Sequence, residues 1–267
     1  MATEGMPVLT GVLREQRRSL LIWSGALFTV AAFYISFYPS IGATPAMQEM
    51  IDSMPQGVAQ ALGYDQITSA AGYIGATVYG LLGPVLMLVF AIGAGARLIA
   101  GEEEAGSLEL ELAHPVSRMR LAGERWLAVA VDVCLLTLPV LAASLLLITA
   151  LDLDVQLGNL VAMSAGLLLF AMAFGSVAFA IGAATGRRAA ALGGTAALAV
   201  LAYIAHAIGP QLQGGAWMDE VSPFGWYLSE DPLINGWDFA GLGLLAAVVA
   251  VAVPLALVTF SNRDFGT

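Results

Sequence analysis

The chain contains no lysine, one cysteine (Cys134) and two histidines (His114 and His206), and only 11% of its 267 residues are charged. Each scarcity removes a class of protein. Without lysine there is no P-loop side chain to reach the β- and γ-phosphates of a nucleotide, so ATP hydrolysis by that route is excluded. One cysteine cannot close an internal bridge, and two histidines with one cysteine do not make a zinc site. Soluble domains carry about 25% charged residues, and disordered chains have low hydrophobicity. Neither description fits a sequence that is 59% apolar with a mean hydropathy of +0.83. That composition suits hydrocarbon as the solvent.

Uncharged apolar runs occur at 19–38, 72–96, 127–151, 157–184, 189–209 and 239–260, each close to or above the roughly 20 residues that cross a bilayer. Lipid offers a backbone no hydrogen bonds, so these runs must be helices, and their unbroken apolarity excludes a barrel. The expected fold is all-α: six transmembrane helices in one domain covering 1–267. Gly83, Pro84, Pro139 and Pro254 are tolerable as kinks or packing points. Residues 152–156 leave room only for a tight antiparallel hairpin between the third and fourth spans. Glycines in the second, fourth and fifth spans (Gly72, Gly75, Gly80, Gly83, Gly175, Gly182, Gly193, Gly194) permit close helix contact, within the chain or with a second copy.

In a six-span arrangement all ten arginines (14, 17, 18, 97, 118, 120, 125, 187, 188 and 263) fall on one side. The other side has no basic residue and ten acids, from Glu49 and Asp52 through Asp219 and Glu220 to Asp238. The positive-inside rule therefore predicts cytoplasmic N- and C-termini and a cell-membrane location. Trp217, Trp226, Tyr227 and Trp237 are expected at the outer boundary. Val8, Leu9, Val12 and Leu13 precede Arg14, Arg17 and Arg18 at helical spacing. This pattern reads either as an amphipathic interfacial helix on the inner leaflet or as an ordinary topogenic arginine cluster. In the first outer loop, Met47, Met50, Ile51, Met54, Val58 and Leu62 form a helix-period stripe. Such a methionine row is either filler for an irregular apolar surface or, less simply, a site for a soft ion; with no His or Cys beside it, no metal is assigned.

Two polar groups lie inside spans. Asp132, about five residues into the third run, reads as a proton or substrate site, or as a carboxylate paired with Arg97 or Arg125 and wetted by headgroups. His206, near the outer end of the fifth run, reads as a hydrogen-bonded packing residue or a ligand.

The longest inner segment, 97–126, holds six acids and four arginines in thirty residues. Gly101 permits a sharp exit from the second span, Ser107 and Ser117 can cap short helices, and Pro115 stops the first of them, which predicts a short helix, a turn and a helix. The run Gly101, Glu102, Glu103, Glu104, Gly106, Ser107, Leu108, Glu109, Leu110, followed by Pro115, Val116, Ser117 and Arg118, resembles the signature of type-two ATP-binding-cassette (ABC) export permeases. The Ser222-Pro223-Phe224-Gly225-Trp226-Tyr227 stretch and the Arg263-Asp264 ending add to the resemblance. Glu111 and His114 stand where such permeases more usually carry an apolar and a small residue.

The resemblance implies a permease subunit that exports its substrate using a separate cytoplasmic ABC ATPase, which binds the ATP and magnesium; this chain would hold no cofactor. It further implies docking and coupling through Gly101, Glu102, Glu103, Glu104, Gly106, Leu108, Leu110, Pro115 and Arg118, and pairing as a homodimer or with a similar permease. The spans' apolar character favours an amphiphilic substrate such as a drug, lipid or polyketide. No nucleic-acid partner is expected. The competing readings are an ion-driven secondary carrier using Asp132 and His206, and an ATPase-associated membrane factor that transports nothing.

Overall fold

The computed structural model describes residues 6–41, 69–106 and 117–263, together with Thr44, 49–50, 53–55 and Val58 of the first acidic-side loop. Six long helices run through it: α1 (Pro7–Ile41), α2 (Ala70–Glu104), α3 (Arg118–Ala150), α4 (Leu157–Thr185), α5 (Arg188–Ile208) and, last in the chain, α9 (Phe239–Asn262). Between α5 and α9 come three short helices, α6 (Ala216–Glu220), α7 (Pro223–Leu228) and α8 (Pro232–Asn235). All six long helices are long and apolar enough to cross a membrane, and the described residues contain no strand. The chain is a multi-pass membrane protein.

The centre of the bundle is α4, which packs against α2, α3, α5 and α9. Its contact with α2 is backbone to backbone: a Cβ on Gly95 would run into the carbonyl of Gly175, and one on Gly182 would meet Ala100. Small residues thus let the two helices approach as membrane helices do in the absence of a hydrophobic drive between them. Gly175 and Gly182 are therefore used within the chain, whereas nothing lies within 4 Å of a Cβ on Gly193. The α3–α4 hairpin is as tight as its length requires. Asp152 adopts a left-handed φ of 50°, Leu153 N–H bonds the Ile148 carbonyl at 2.9 Å, and α4 starts at Leu157.

Three expectations are corrected. The N-terminal segment is not a separate interfacial helix, because α1 runs unbroken from Pro7 through the first span. Its buried stripe, Gln16, Leu27, Ala31 and Ile35, faces the bundle, mainly α3. Gly101 is no exit from the second span; it is helical (φ −66°) and α2 continues to Glu104, with the turn falling at Gly106, whose φ is +72°. Tyr227 is buried, not interfacial. Ser117 does cap the following helix, its hydroxyl accepting from Arg120 N–H at 3.3 Å. Leu108, Leu110, Pro115, Ser107, Glu109, Glu111 and His114 lie outside the described residues, as do Met47, Ile51 and Leu62 of the methionine row.

Two stretches of α2 are wound as π-helix, Gly75–Leu82 and Arg97–Gly101. The first has an evident cause. Pro84 lacks an N–H and its ring crowds the preceding turn, so the helix widens just before it. The Tyr79 carbonyl in this wide turn accepts a hydrogen bond from the Tyr227 hydroxyl at 2.9 Å. The second π stretch is buried against α3, α4 and α5, and it leads directly into three consecutive glutamates.

Candidate functional site

Glu102, Glu103 and Glu104 end α2, and each is engaged by a different element. Glu102 pairs with the guanidinium of Arg125 on α3, which also donates to the Leu98 carbonyl at 2.6 Å. Arg125 is fully buried; a charge in that position is sustained only by such a pair and its added hydrogen bond. Glu103 pairs with Arg263, just beyond α9. Arg263 also donates to the Ala183 carbonyl near the end of α4 at 2.8 Å, and its own carbonyl accepts from Arg118, the first residue of α3, at 2.9 Å. Glu104 accepts the backbone N–H of Arg188 at 2.8 Å, placing a carboxylate at the positive end of α5. Three successive acids thus tie α2 to α3, α5 and α9, and through Arg263 to α4.

This clasp explains a nearby glycine. Gly186 ends α4 in the left-handed conformation (φ +64°), and a Cβ there would collide with the Arg263 guanidinium and the Glu103 carboxylate. Only glycine satisfies both the backbone and the space. A fourth carboxylate attaches the remaining long helix: Glu124 on α3 accepts from the Val8 and Leu9 N–H groups at 3.0 and 3.2 Å and from Arg120 at 2.9 Å, capping the start of α1. All six long helices are therefore joined at the arginine-bearing end.

The acids that the sequence resemblance assigns to docking thus each have a partner within the chain. Of the other residues in that set, Gly101 packs against Arg97 and Arg188, Gly106 makes the turn, and Arg118 holds the Arg263 carbonyl. The signal missed was the match of three acids to three arginine-bearing helix ends.

At the opposite end α6, α7 and α8 fold back over the bundle. Ser222 caps α7, accepting from Phe224 N–H at 3.1 Å while donating to the Ala202 carbonyl of α5 at 2.7 Å. Tyr227 stacks on Phe170 with ring centres 5.1 Å apart, and Phe224 meets Phe170 edge-on at 4.7 Å. The Tyr79 hydroxyl bonds Ser164 at 2.9 Å and Ser144 at 3.3 Å, so α2, α3, α4 and α7 share one polar and aromatic plug. Beside it an apolar cleft of about 310 Å³ is lined by Phe174, Val177, Leu198, Leu201, Pro223 and Val248 among others; its one polar side chain, Ser222, already has a partner.

Asp132 and His206 do not form a common site. His206 ends α5 under the folded-back helices, 2.7 Å from Asp219, whose other oxygen accepts from Ser229 at 2.8 Å; it is the hydrogen-bonded packing residue. Asp132 lies on α3, about 21 Å along from Arg118 at 1.5 Å per residue. It is neither paired with Arg125, which Glu102 holds, nor wetted, being 0% exposed.

The described residues hold no group of three or more potential metal ligands. Compared with known families, residues 9–261 match the sequence profile described as "Multidrug efflux system permease Rv1217c, C-terminal domain". The chain belongs to this family. The match covers α2 to α8 and nearly all of α1 and α9, including the three clasp glutamates of the permease but not Arg263. No curated protein matches the permease closely enough to count as a relative.

Proposed function

We propose that this permease forms half of the export pathway of an ABC system, paired with a second copy or a similar permease. A separate cytoplasmic ATPase, holding ATP and magnesium, drives it from the arginine-bearing end, and the substrate is an amphiphile. The observation that carries the reading is the clasp. The segment 107–116, which bears the family-like docking pattern, leaves α2 immediately after Glu102–Glu104. A displacement of that segment therefore pulls first on the carboxylates that hold α3, α5 and α9. In this reading the glutamates transmit the motion, and the ATPase contact falls to Leu108, Leu110, Pro115 and their neighbours. The apolar cleft beside α7 and the absence of charge along α4 and α9 suit an apolar moiety.

The test is co-expression with a candidate ATPase followed by purification and dye export from proteoliposomes. Glu103→Gln should leave the ATPase bound while export falls at least several-fold. Leu108→Asp with Leu110→Asp should abolish co-purification. Equal loss of binding in both variants would return the docking role to the glutamates. No binding by the parent to any ABC ATPase would remove the reading itself.

A further inference from the structure

Asp132 is the one side chain in the described residues whose two carboxylate oxygens are both buried without a hydrogen-bond partner. It sits at 0% exposure on the face of α3 that packs into the bundle. Its surroundings supply little compensation. On its own helix, Arg125 and Glu124 are taken by Glu102 and by the start of α1. On α1, Arg14, Glu15, Arg17 and Arg18 are exposed, and the buried polar group is Gln16, eight residues along from Val8 as Asp132 is eight along from Glu124. Gln16 therefore stands level with Asp132, and its amide nitrogen is likewise buried without a partner. Neither α4 nor α9 has a charged residue. On α2 half-buried Arg97 forms no ion-pair contact with the carboxyl.

An isolated carboxylate with no partner in a low-dielectric interior is costly enough that the group takes up a proton instead. We propose that Asp132 is a proton-binding site of the permease, carrying the proton in the conformation described here and releasing it when the arginine-bearing ends of the helices part. Release breaks the carboxylic O–H bond. The proton passes to water entering from that end, and the carboxylate left behind is met by Arg97. The geometry links this step to the clasp. Arg97 opens the π stretch that leads into Glu102, and Arg125, which holds Glu102, lies two turns before Asp132 on α3. Any motion of α2 against α3 at the clasp therefore changes the Arg97–Asp132 separation. The site is read from this chain alone; only its place in an export cycle rests on the function proposed above.

The experiment is infrared titration of the purified full-length permease in lipid nanodiscs, without ATPase. The parent should show the carbonyl stretch of a protonated carboxylic acid at neutral pH, disappearing on alkaline titration and absent from Asp132→Asn. Arg97→Gln should move that titration upward, since a removed cation no longer favours the charged form. If Asp132→Asn does not insert, Asp132→Glu supplies the assignment by shifting the band. A parent spectrum without a titrating acid band, or a band untouched by both substitutions at position 132, would overturn the proposal. A titrating Asp132 band in a permease that fails to bind an ABC ATPase in the co-purification above would count against the ABC reading and leave the proton site standing.

Discussion

Replacing Glu102 by glutamine isolates the innermost contact of the clasp. The substitution keeps shape and one acceptor oxygen but removes the charge that faces Arg125. Arg125 is fully enclosed and then retains the Leu98 carbonyl at 2.6 Å as its other acceptor from α2. Removing one partner of a buried ion pair costs about 3–5 kcal/mol. Glu102 is about a fifth exposed, so water partly solvates the site and a loss of about 2–3 kcal/mol is expected. The control is Arg120→Gln, which breaks the pair with Glu124 where the arginine is 41% exposed; surface pairs contribute about 0.2–1 kcal/mol. Stability would be measured by reversible denaturation in mixed micelles, with the double variant Glu102→Gln, Arg125→Met closing the cycle. Because that variant deletes both charges, it should recover most of the loss. A Glu102→Gln effect no larger than the Arg120 control, or a double variant as unstable as Arg125→Met alone, would refute the claim that this pair holds α2 to α3.

Three further outcomes are expected. Cysteines introduced at positions 56 and 213 should react with an impermeant reagent in intact cells and one at 105 should not, as the distribution of arginines requires; labelling at 105 would invert the topology. Tyr227→Phe leaves the Tyr79 carbonyl without its donor in the wide turn of α2 and should cost about 1–3 kcal/mol by the same denaturation assay. Gly186→Ala forces a Cβ into both a left-handed turn and the Glu103–Arg263 pair, so it should cost at least about 1 kcal/mol and lower export, while Gly193→Ala, with open space around it, should be neutral.

The spans and their hairpin were readable because hydrocarbon imposes a rule on long runs of sequence: 157–184 had to be a helix whatever surrounded it. The ends were not, since hydropathy marks where lipid stops and not where helix stops. The Ser117 cap did mark the start of the helix through Trp126, but nothing in the sequence joined its Arg125 to Glu102. A charge that pattern assigns to water is, in the folded bundle, an internal bond. The same blindness hid Tyr227, whose amphipathic ring suits an interface as well as it suits the pocket formed by Phe170 and the Tyr79 carbonyl. Asp132 was visible as an anomaly, but its isolation depended on where Arg125 went. Gln16 gave no signal beyond its place on a stripe of α1 that is apolar elsewhere.

The overshoot of the helices beyond their apolar runs sets a stand-off. Taking 1.5 Å per residue, α1 extends about 18 Å below Ser19, α3 about 14 Å below Leu127 and α2 about 12 Å past Ala96. The headgroup layer on one side of a bilayer is only about 5–8 Å deep. On this count Glu102, Glu103 and Glu104, about 9–12 Å past Ala96, stand at the level of the lipid phosphates, while Arg125, Arg188 and Arg263 lie within about 5 Å of their apolar runs. A soluble subunit could then grip the permease without stripping lipid from it, and would move a rigid stump rather than a loop lying in the membrane surface. The lever arm of that stump is about half the thickness of the hydrocarbon it acts across.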